Sequence, residues 1–214
     1  MIGDGDTGYG NAVNTKRTVK GYAAAGLAGI MIEDQVSPKR CGHTKGKKVV
    51  DHATAVARVR AAVDASRECA PTRDDAILIV ARTDARAEHG LDEAIAPAQA
   101  FHAVGADICF VEAPRTVQEM RVICDAVDGP KMANLLAGGL TPILLPSELE
   151  EIGFKLAAYP LDLLRASIIE QQQALGMLAS RGAPPNELSL PFEELQEVVG
   201  FPAYYAEADR YKVD

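Results

Sequence analysis

The sequence predicts an α/β fold, a (β/α)8 barrel of the TIM type without its first two strand–helix units. Three observations carry that expectation. Short apolar runs alternate with helical segments six times along the chain. Polar residues close at least five of the six runs, which is where a barrel places its chemistry. No GxGxxG or GxxxxGK[ST] signature occurs, although an open nucleotide-binding sheet calls for one. Six units are two short of eight, and Met1-Ile2-Gly3-Asp4 already reads as the inside of a strand, so an upstream stretch is expected.

The first strand ends within Met1–Asp6, and a helix runs from Asn11 to Ala25 with Asn11 as its N-cap. Gly29–Glu33 is the second strand, followed by a long basic loop. Asp51 caps a helix from His52 to Arg67 whose Val56, Val59 and Val63 share a face. Ala76–Ala81 is the most continuous apolar run, as expected of a strand buried on both faces, and it ends in Arg82-Thr83-Asp84. A helix over Leu91–Val104 precedes a strand at Asp107–Val111 that ends in Glu112. A helix over Val117–Val127 precedes a strand at Lys131–Ala133 that ends in Asn134. A Gly-rich loop, Gly138 to Pro142, leads to a short helix at Ser147–Ile152. Lys155–Tyr159 is the sixth strand, and a long helix covers about Leu161–Ser180. The barrel domain is set at residues 1–181 and a C-terminal extension at 182–214. In the extension Pro184-Pro185-Asn186 reads as a linker and Phe192–Val199 as a short amphipathic helix. Phe201, Tyr204, Tyr205 and Tyr211 form an aromatic cluster expected to dock on the domain or on a neighbouring subunit.

With 48% hydrophobic residues, 214 residues suffice to bury a substantial core. A net charge of −8 and a pI near 5.1 argue against a nucleic-acid or anionic-membrane partner, so basic clusters need a local explanation. Cys41, Cys69, Cys109 and Cys124 show no CxxC pairing, which fits reduced thiols and a cytoplasmic location. The longest apolar run, Ala23–Ile32, is too short to span a bilayer.

Asp4 and Asp6 stand two apart on the predicted strand, so both carboxylates are expected on one face, where they repel unless a cation or proton intervenes. Gly3, Gly5 and Gly8 let a ligand approach closely. One reading is a hard divalent ion, Mg2+ or Mn2+, bound partly through water; the other is a solvated Asp/Gly turn. Glu33, at the next strand end, adds a third carboxylate and favours the metal, while Asp34 faces the other way. Cys41 lies among Lys39, Arg40, His43, Lys45, Lys47 and Lys48, a setting that favours the thiolate and suits acid–base or nucleophilic work. An exposed basic loop with an incidental cysteine is the alternative. Gly42 and Gly46 provide the hinge freedom of a closing lid. Arg82 needs a carboxylate or an anionic ligand at the end of an apolar strand, and Glu112 is its expected neighbour. Asn134 can donate a hydrogen bond to a substrate oxygen. Cys69, Cys109 and Cys124 read as packing residues, and His52, His89 and His102 as packing or surface residues.

Taken in order, several motifs resemble the isocitrate lyase/phosphoenolpyruvate mutase superfamily. They are Asp4-Gly5-Asp6-Thr7-Gly8-Tyr9-Gly10, Glu33-Asp34-Gln35, Lys39-Arg40-Cys41-Gly42-His43, Ala81-Arg82-Thr83-Asp84-Ala85, Val111-Glu112-Ala113 and Ala133-Asn134-Leu135. Within the superfamily the chain is similar to the methylisocitrate lyase and 2,3-dimethylmalate lyase branch, from Met1 to about Arg181, and its Lys-Arg-Cys-Gly-His element is highly specific. The resemblance implies a (β/α)8 barrel, usually a homotetramer that exchanges its last barrel helix between subunits. It implies Mg2+ held by Asp4 and Asp6, with Glu33 acting directly or through water, and Cys41 as general acid/base. Gly42, His43, Arg82 and Asn134 would contact a small carboxylate substrate, with Glu112 supporting Arg82.

The reaction so implied is cleavage of a 2-hydroxy di- or tricarboxylate into an α-keto acid and a carboxylate. The alternatives are a carboxyphosphonoenolpyruvate or phosphoenolpyruvate mutase, an oxaloacetate decarboxylase, or a non-catalytic interaction subunit. The Cys-Gly-His element argues against the decarboxylase and phosphoenolpyruvate mutase branches but not against the carboxyphosphonoenolpyruvate mutase. The family's first two units supply small substrate-binding residues and another acidic residue. Without them two sheet edges stay unpaired, so this polypeptide alone is expected to be unstable or inactive.

Overall fold

The computed structural model describes residues 1–44, 46–182 and 189–213. Lys45 of the basic loop and Pro184-Pro185-Asn186, read as a linker, lie outside them. The chain divides into two compact units, Met1–Pro160 and Leu161–Asp214.

In the first unit six parallel strands follow one another in chain order: β1 (Ile2–Asp4), β2 (Gly29–Glu33), β3 (Leu78–Thr83), β4 (Ile108–Val111), β5 (Met132–Asn134) and β6 (Leu156–Ala158). β1 to β4 form one sheet and β5–β6 another. A parallel bridge between Cys109 and Lys131 joins the two, and Cys109 N donates to the Pro130 carbonyl at 3.0 Å. Helices α1 (Ala12–Ala24), α2 (His52–Glu68), α4 (Leu91–Ala103), α5 (Val117–Ala126) and α6 (Pro146–Ile152) connect the strands. Spatial order equal to chain order is barrel topology; a doubly wound sheet reverses its order at a switch point. Among the described residues β1 and β6 each pair on one side only.

Capping sets where the helices begin. Asn11 Oδ1 accepts from the Val13 and Asn14 amides at 3.0 and 3.1 Å, and Asn14 Oδ1 accepts from Asn11 N at 3.2 Å. Asp51 Oδ1 accepts from Thr54 N at 2.9 Å, and Thr116 Oγ1 from Glu119 N at 3.1 Å. Each cap is worth about 1 kcal/mol.

Strand alternation then separates two layers. Ile30, Ile32, Ile79, Ala81, Cys109 and Val111 point outward into one core with Val19 of α1, Val59 and Val63 of α2 and Phe101 of α4. Met31, Val80, Ile108, Phe110, Met132 and Leu156 point inward and pack on each other. A fully buried isoleucine such as Ile30 or Ile79 contributes about 2 kcal/mol.

Three expectations need correction. The third strand begins at Leu78, which is 39% exposed, so burial on both faces starts only at Ile79. A short helix, α3 (Ala85–His89), follows β3 directly and closes on Gly90 at φ 100°; five residues are too few to show a period. Cys69 is exposed at the end of α2 and is no packing residue, whereas Cys109 is buried. Burial pushes the Cys109 thiol up to about 11.

The second unit holds α7 (Asp162–Arg181), α8 (Phe192–Val198) and α9 (Phe201–Asp209), so the compact boundary falls ahead of α7. None of the three buries a residue. The tail aromatics lie on or just after α9; the Tyr205 ring meets those of Phe201 and Tyr204 edge-to-face at 5.8 and 5.7 Å, and Tyr204 is 68% exposed. No helix among the described residues is long and apolar enough to cross a membrane.

Candidate active site

Four of the six inward-facing positions are followed by a polar residue two steps further along the chain. Met31 leads to Glu33, Val80 to Arg82, Phe110 to Glu112 and Met132 to Asn134. Because the side-chain period is two, these four share the inner face at the C-terminal ends of their strands. Register sets Glu33 level with Arg82 and Arg82 level with Phe110, so Glu112 stands two residues further along. The Arg82 guanidinium lies 5.2 Å from the centre of the Phe110 ring.

Arg82 is the centre of a buried network. Its Nε and Nη2 donate to the two Asp84 oxygens at 2.8 and 3.0 Å, a bidentate clasp, and Nη2 lies 3.1 Å from Glu112 Oε2. Lys47 Nζ stands 3.3 Å from Asp84 Oδ1 and also donates to the Gly42 carbonyl. Glu112 accepts from Ala113 N at 2.9 Å and from Asn134 Nδ2 at 3.3 Å. His43 Nδ1 accepts from Leu140 N at 3.0 Å, so its proton sits on Nε2, 3.1 Å from Glu112 Oε1. The expected Arg82–Glu112 pair is present, but Asp84 is the stronger partner.

A second cluster of carboxylates stands beside this network. β1 ends at Asp4, and Asp6 lies beyond it in a turn at φ 48°, so strand alternation does not put the two together. They converge because the turn folds back: Asp6 N donates to Asp4 Oδ1 at 3.0 Å, and Glu33 N donates to the Asp6 carbonyl at 2.9 Å. Lys39 Nζ lies 2.5 Å from Asp6 Oδ1, 3.1 Å from Asp4 Oδ2 and 3.9 Å from Glu33 Oε2. Burial works against the Lys39 ammonium, but hydrogen bonds to Asp6 and Asp4 and the Glu33 charge hold its pKa above the ordinary lysine value.

Glu33 is only 1% exposed, and neither carboxylate oxygen has a hydrogen-bond partner. Burial raises its pKa to about 7 against the pull of Arg82. Among the described residues no group of three or more His, Cys, Asp or Glu side chains is already placed to hold a metal ion by itself. Two outer carboxylates with an orphaned one behind them suit a hard, oxygen-preferring ion that keeps part of its water. A cavity of 290 Å³, lined by Ile2, Asp4, Met31, Val80, Met132 and Leu156 among others, opens inside the sheet next to them. A roomier one of 640 Å³, along α1, is lined by no carboxylate or thiol, so size alone does not mark the site.

The basic loop closes over both clusters. Gln35 is buried and pins the loop by donating to the Arg40 carbonyl at 2.9 Å and accepting from Arg40 N at 3.0 Å. Arg58, from α2, donates to the Glu33 and Gln35 carbonyls at 2.6 and 3.1 Å. Asp34 faces away from the inner cluster, as expected, and its Oδ1 accepts from Asp84 N at 2.9 Å. Gly42 lies against the arginine network: a β-carbon there would stand 2.5 Å from both Arg82 Nη2 and Glu112 Oε2. Cys41 is exposed immediately before it, and its carbonyl accepts from Thr44 N at 3.0 Å. Lys39 and Lys47 turn inward to carboxylates, so the positive surroundings expected for Cys41 are partly neutralised.

The structure therefore brings Asp4, Asp6 and Glu33 into one cluster and Arg82, Glu112, His43, Asn134 and Gly42 into another, with Cys41 at the rim. Asp84, Lys47, Gln35 and Arg58 belong to the same region; in the sequence Asp84 and Gln35 figure only within motifs, Lys47 only as a charge near Cys41, and Arg58 not at all. The i, i+2 spacing from Arg82 to Asp84 was a usable signal for one of them; the other contacts are set by tertiary packing.

Residues 1–179 match the phosphoenolpyruvate phosphomutase family. The chain is 45% identical over 161 residues to 2,3-dimethylmalate lyase of Eubacterium barkeri, covering 75% of this chain and 53% of that protein. It is 39% identical over 219 residues to carboxyvinyl-carboxyphosphonate phosphorylmutase, chloroplastic, of Arabidopsis thaliana, covering 99% of this chain and 62% of that one. It thus spans between about half and two thirds of the length of these relatives. A crystal structure of 2,3-dimethylmalate lyase, a PEP mutase/isocitrate lyase superfamily member, superposes with a TM-score of 0.88 at 33% identity, over 98% of this chain and 69% of that one. With strand order, site motifs and relatives in agreement, the chain belongs to the phosphoenolpyruvate phosphomutase family of the isocitrate lyase/phosphoenolpyruvate mutase superfamily.

Proposed function

We propose that this chain serves a Mg2+-dependent carbon–carbon lyase that cleaves a 2-hydroxy di- or tricarboxylate into an α-keto acid and a carboxylate. The observation that carries the reading is the meeting of the under-satisfied carboxylates with the buried arginine network, beneath a loop that bears a cysteine. Asp4 and Asp6 would hold the ion, with Glu33 acting directly or through water; Mn2+ suits the same oxygens. When bound, the ion supplies Lewis-acid polarisation of the substrate's oxygens. Arg82, kept in place by Asp84 and Glu112, offers a fixed positive charge to a substrate carboxylate, and His43 and Asn134 stand beside it as polar contacts.

In the cleavage the 2-hydroxyl loses its proton and its oxygen becomes the new carbonyl. The adjacent C–C bond breaks, leaving its electron pair on the carbon next to the departing carboxylate. The Cys41 thiol protonates that carbon and is left as a thiolate; the hydroxyl proton is released to solvent and the thiolate takes one back from it, so one proton lost at oxygen balances one gained at carbon. A homotetramer and a cytoplasmic location are part of the same proposal, supported by the family resemblance. The phosphorylmutase relative, similar over nearly the whole chain, supports a second reading in which the same site rearranges a carboxyvinyl carboxyphosphonate.

Single-turnover assays, with protein in excess so that slow cleavage still registers, separate these readings. With Mg2+, 2,3-dimethylmalate or methylisocitrate should release an α-keto acid. Cys41→Ser should reduce that release about 100- to 10,000-fold while leaving Mg2+ affinity unchanged. Cleavage that survives in Cys41→Ser, or absence of cleavage in a chain to which the first two strand–helix units have been restored, contradicts the lyase mechanism.

A further inference from the structure

The carboxylate cluster already contains a cation of the chain's own. Lys39 Nζ sits on Asp6 and Asp4 at 2.5 and 3.1 Å and faces Glu33 at 3.9 Å. These are the three carboxylates assigned to the ion, so two different cations have a claim on one position. We propose that Lys39 is a built-in counter-ion of the metal site, seated on Asp4 and Asp6 when the site is empty and driven out when a divalent ion enters. The inference rests on the metal reading above and deepens it.

Three features support displacement over shared occupancy. Without any cation, three carboxylates face one another, so the empty protein needs a positive charge there. The ammonium satisfies that need incompletely. It is within hydrogen-bond reach of Asp4 and Asp6, but both oxygens of buried Glu33 remain without a hydrogen bond, Oε2 standing 3.4 Å from Arg82 Nε and 3.9 Å from the ammonium. An ion carrying water can serve all three, and this difference in affinity is what shifts a two-state equilibrium.

The third feature is mechanical. Gln35 clamps the backbone of Arg40, the next residue, through two hydrogen bonds. Lys39 hangs from this anchor on a flexible four-carbon stem, with its side chain 29% exposed. It can swing into solvent while the loop that carries Cys41 stays in place. The lysine therefore keeps the empty site from repelling itself, at the expense of metal affinity.

The test combines two measurements on the 214-residue chain. Mg2+ affinity is measured by calorimetry for wild type, Lys39→Met and Lys39→Gln, the second variant guarding against misfolding of the first. Reactivity of Lys39 toward an amine-acylating reagent is followed by mass spectrometry with and without Mg2+, with exposed Lys48 as reference. The expected result is Mg2+ binding roughly tenfold tighter in the variants, from loss of two charge-assisted contacts at a partly exposed site. Lys39 labelling in wild type should rise several-fold on saturation, with Lys48 unchanged. Tighter binding without increased labelling is only the field effect of a lost charge and overturns displacement. Mg2+ binding that the variants weaken also overturns it, in both cases leaving the metal reading intact. No Mg2+ binding by wild type or either variant overturns the metal reading and the inference together.

Discussion

The two halves of the site differ in how completely they are satisfied. Around Arg82 every charge has a partner: Asp84 takes two guanidinium bonds, Glu112 takes another, and His43, Asn134 and Lys47 surround them. Around Asp4, Asp6 and Glu33 one flexible lysine faces three carboxylates, and the buried one, 3.4 Å from Arg82 Nε, has no hydrogen bond. A saturated buried network holds shape; an unsaturated one beside solvent is where a ligand gains most. The contrast teaches that Arg82's surroundings form a preorganised wall, and that the acidic side is the mouth left for a cation.

The largest break of this comparison is expected at Arg82. Arg82→Met leaves Glu33, Asp84 and Glu112 buried without their shared cation, and should lower unfolding free energy by about 3–5 kcal/mol in denaturant titration. Glu33→Gln should act in the opposite sense in metal-free protein. The Glu33 carboxyl has a folded pKa of about 7 against an ordinary 4.5, so its contribution is full below pH 4.5 and lost as pH rises through 7. Wild type should thus lose up to about 3 kcal/mol between pH 4.5 and 8 from this group, and Glu33→Gln should flatten that part of the profile. Gly42→Ala, which forces a methyl against Glu112 and Arg82, should cost about 1–3 kcal/mol without touching the carboxylates. The smallest stability change belongs to Asp6→Asn, under about 1 kcal/mol because its Lys39 contact is partly exposed, yet Mg2+ affinity should fall sharply. A large stability loss in Asp6→Asn would erase the distinction between wall and mouth.

Much of this contrast was legible from residue order. Short apolar runs placed Glu33, Arg82, Glu112 and Asn134 at strand ends, and Arg82 beside Glu112; that all four share the inner face follows from the observed register and the period of two. Asp6 was chosen for a reason that failed, since it follows the strand and reaches Asp4 through a left-handed turn. That geometry depends on long-range pairing, with Gly5 N on the Met31 carbonyl at 2.8 Å and Glu33 N on the Asp6 carbonyl. Lys39 and Lys47 read as positive surroundings of Cys41 because a loop sequence does not reveal which way a long side chain turns; the neighbouring carboxylates decide it. Gln35 and Arg58 act through backbone carbonyls and amides, which leave no trace in residue type. α3 and α9 are too short for periodicity to declare.

Diffraction from Mn2+-soaked crystals of the wild-type chain, recorded for anomalous signal, tests the central claim most directly. The expected result is an anomalous peak between the Asp4 and Asp6 carboxylates, with the Lys39 side chain displaced and the Arg82–Asp84–Glu112 network unmoved. A peak elsewhere, or none while Lys39 keeps both aspartates, would contradict the account.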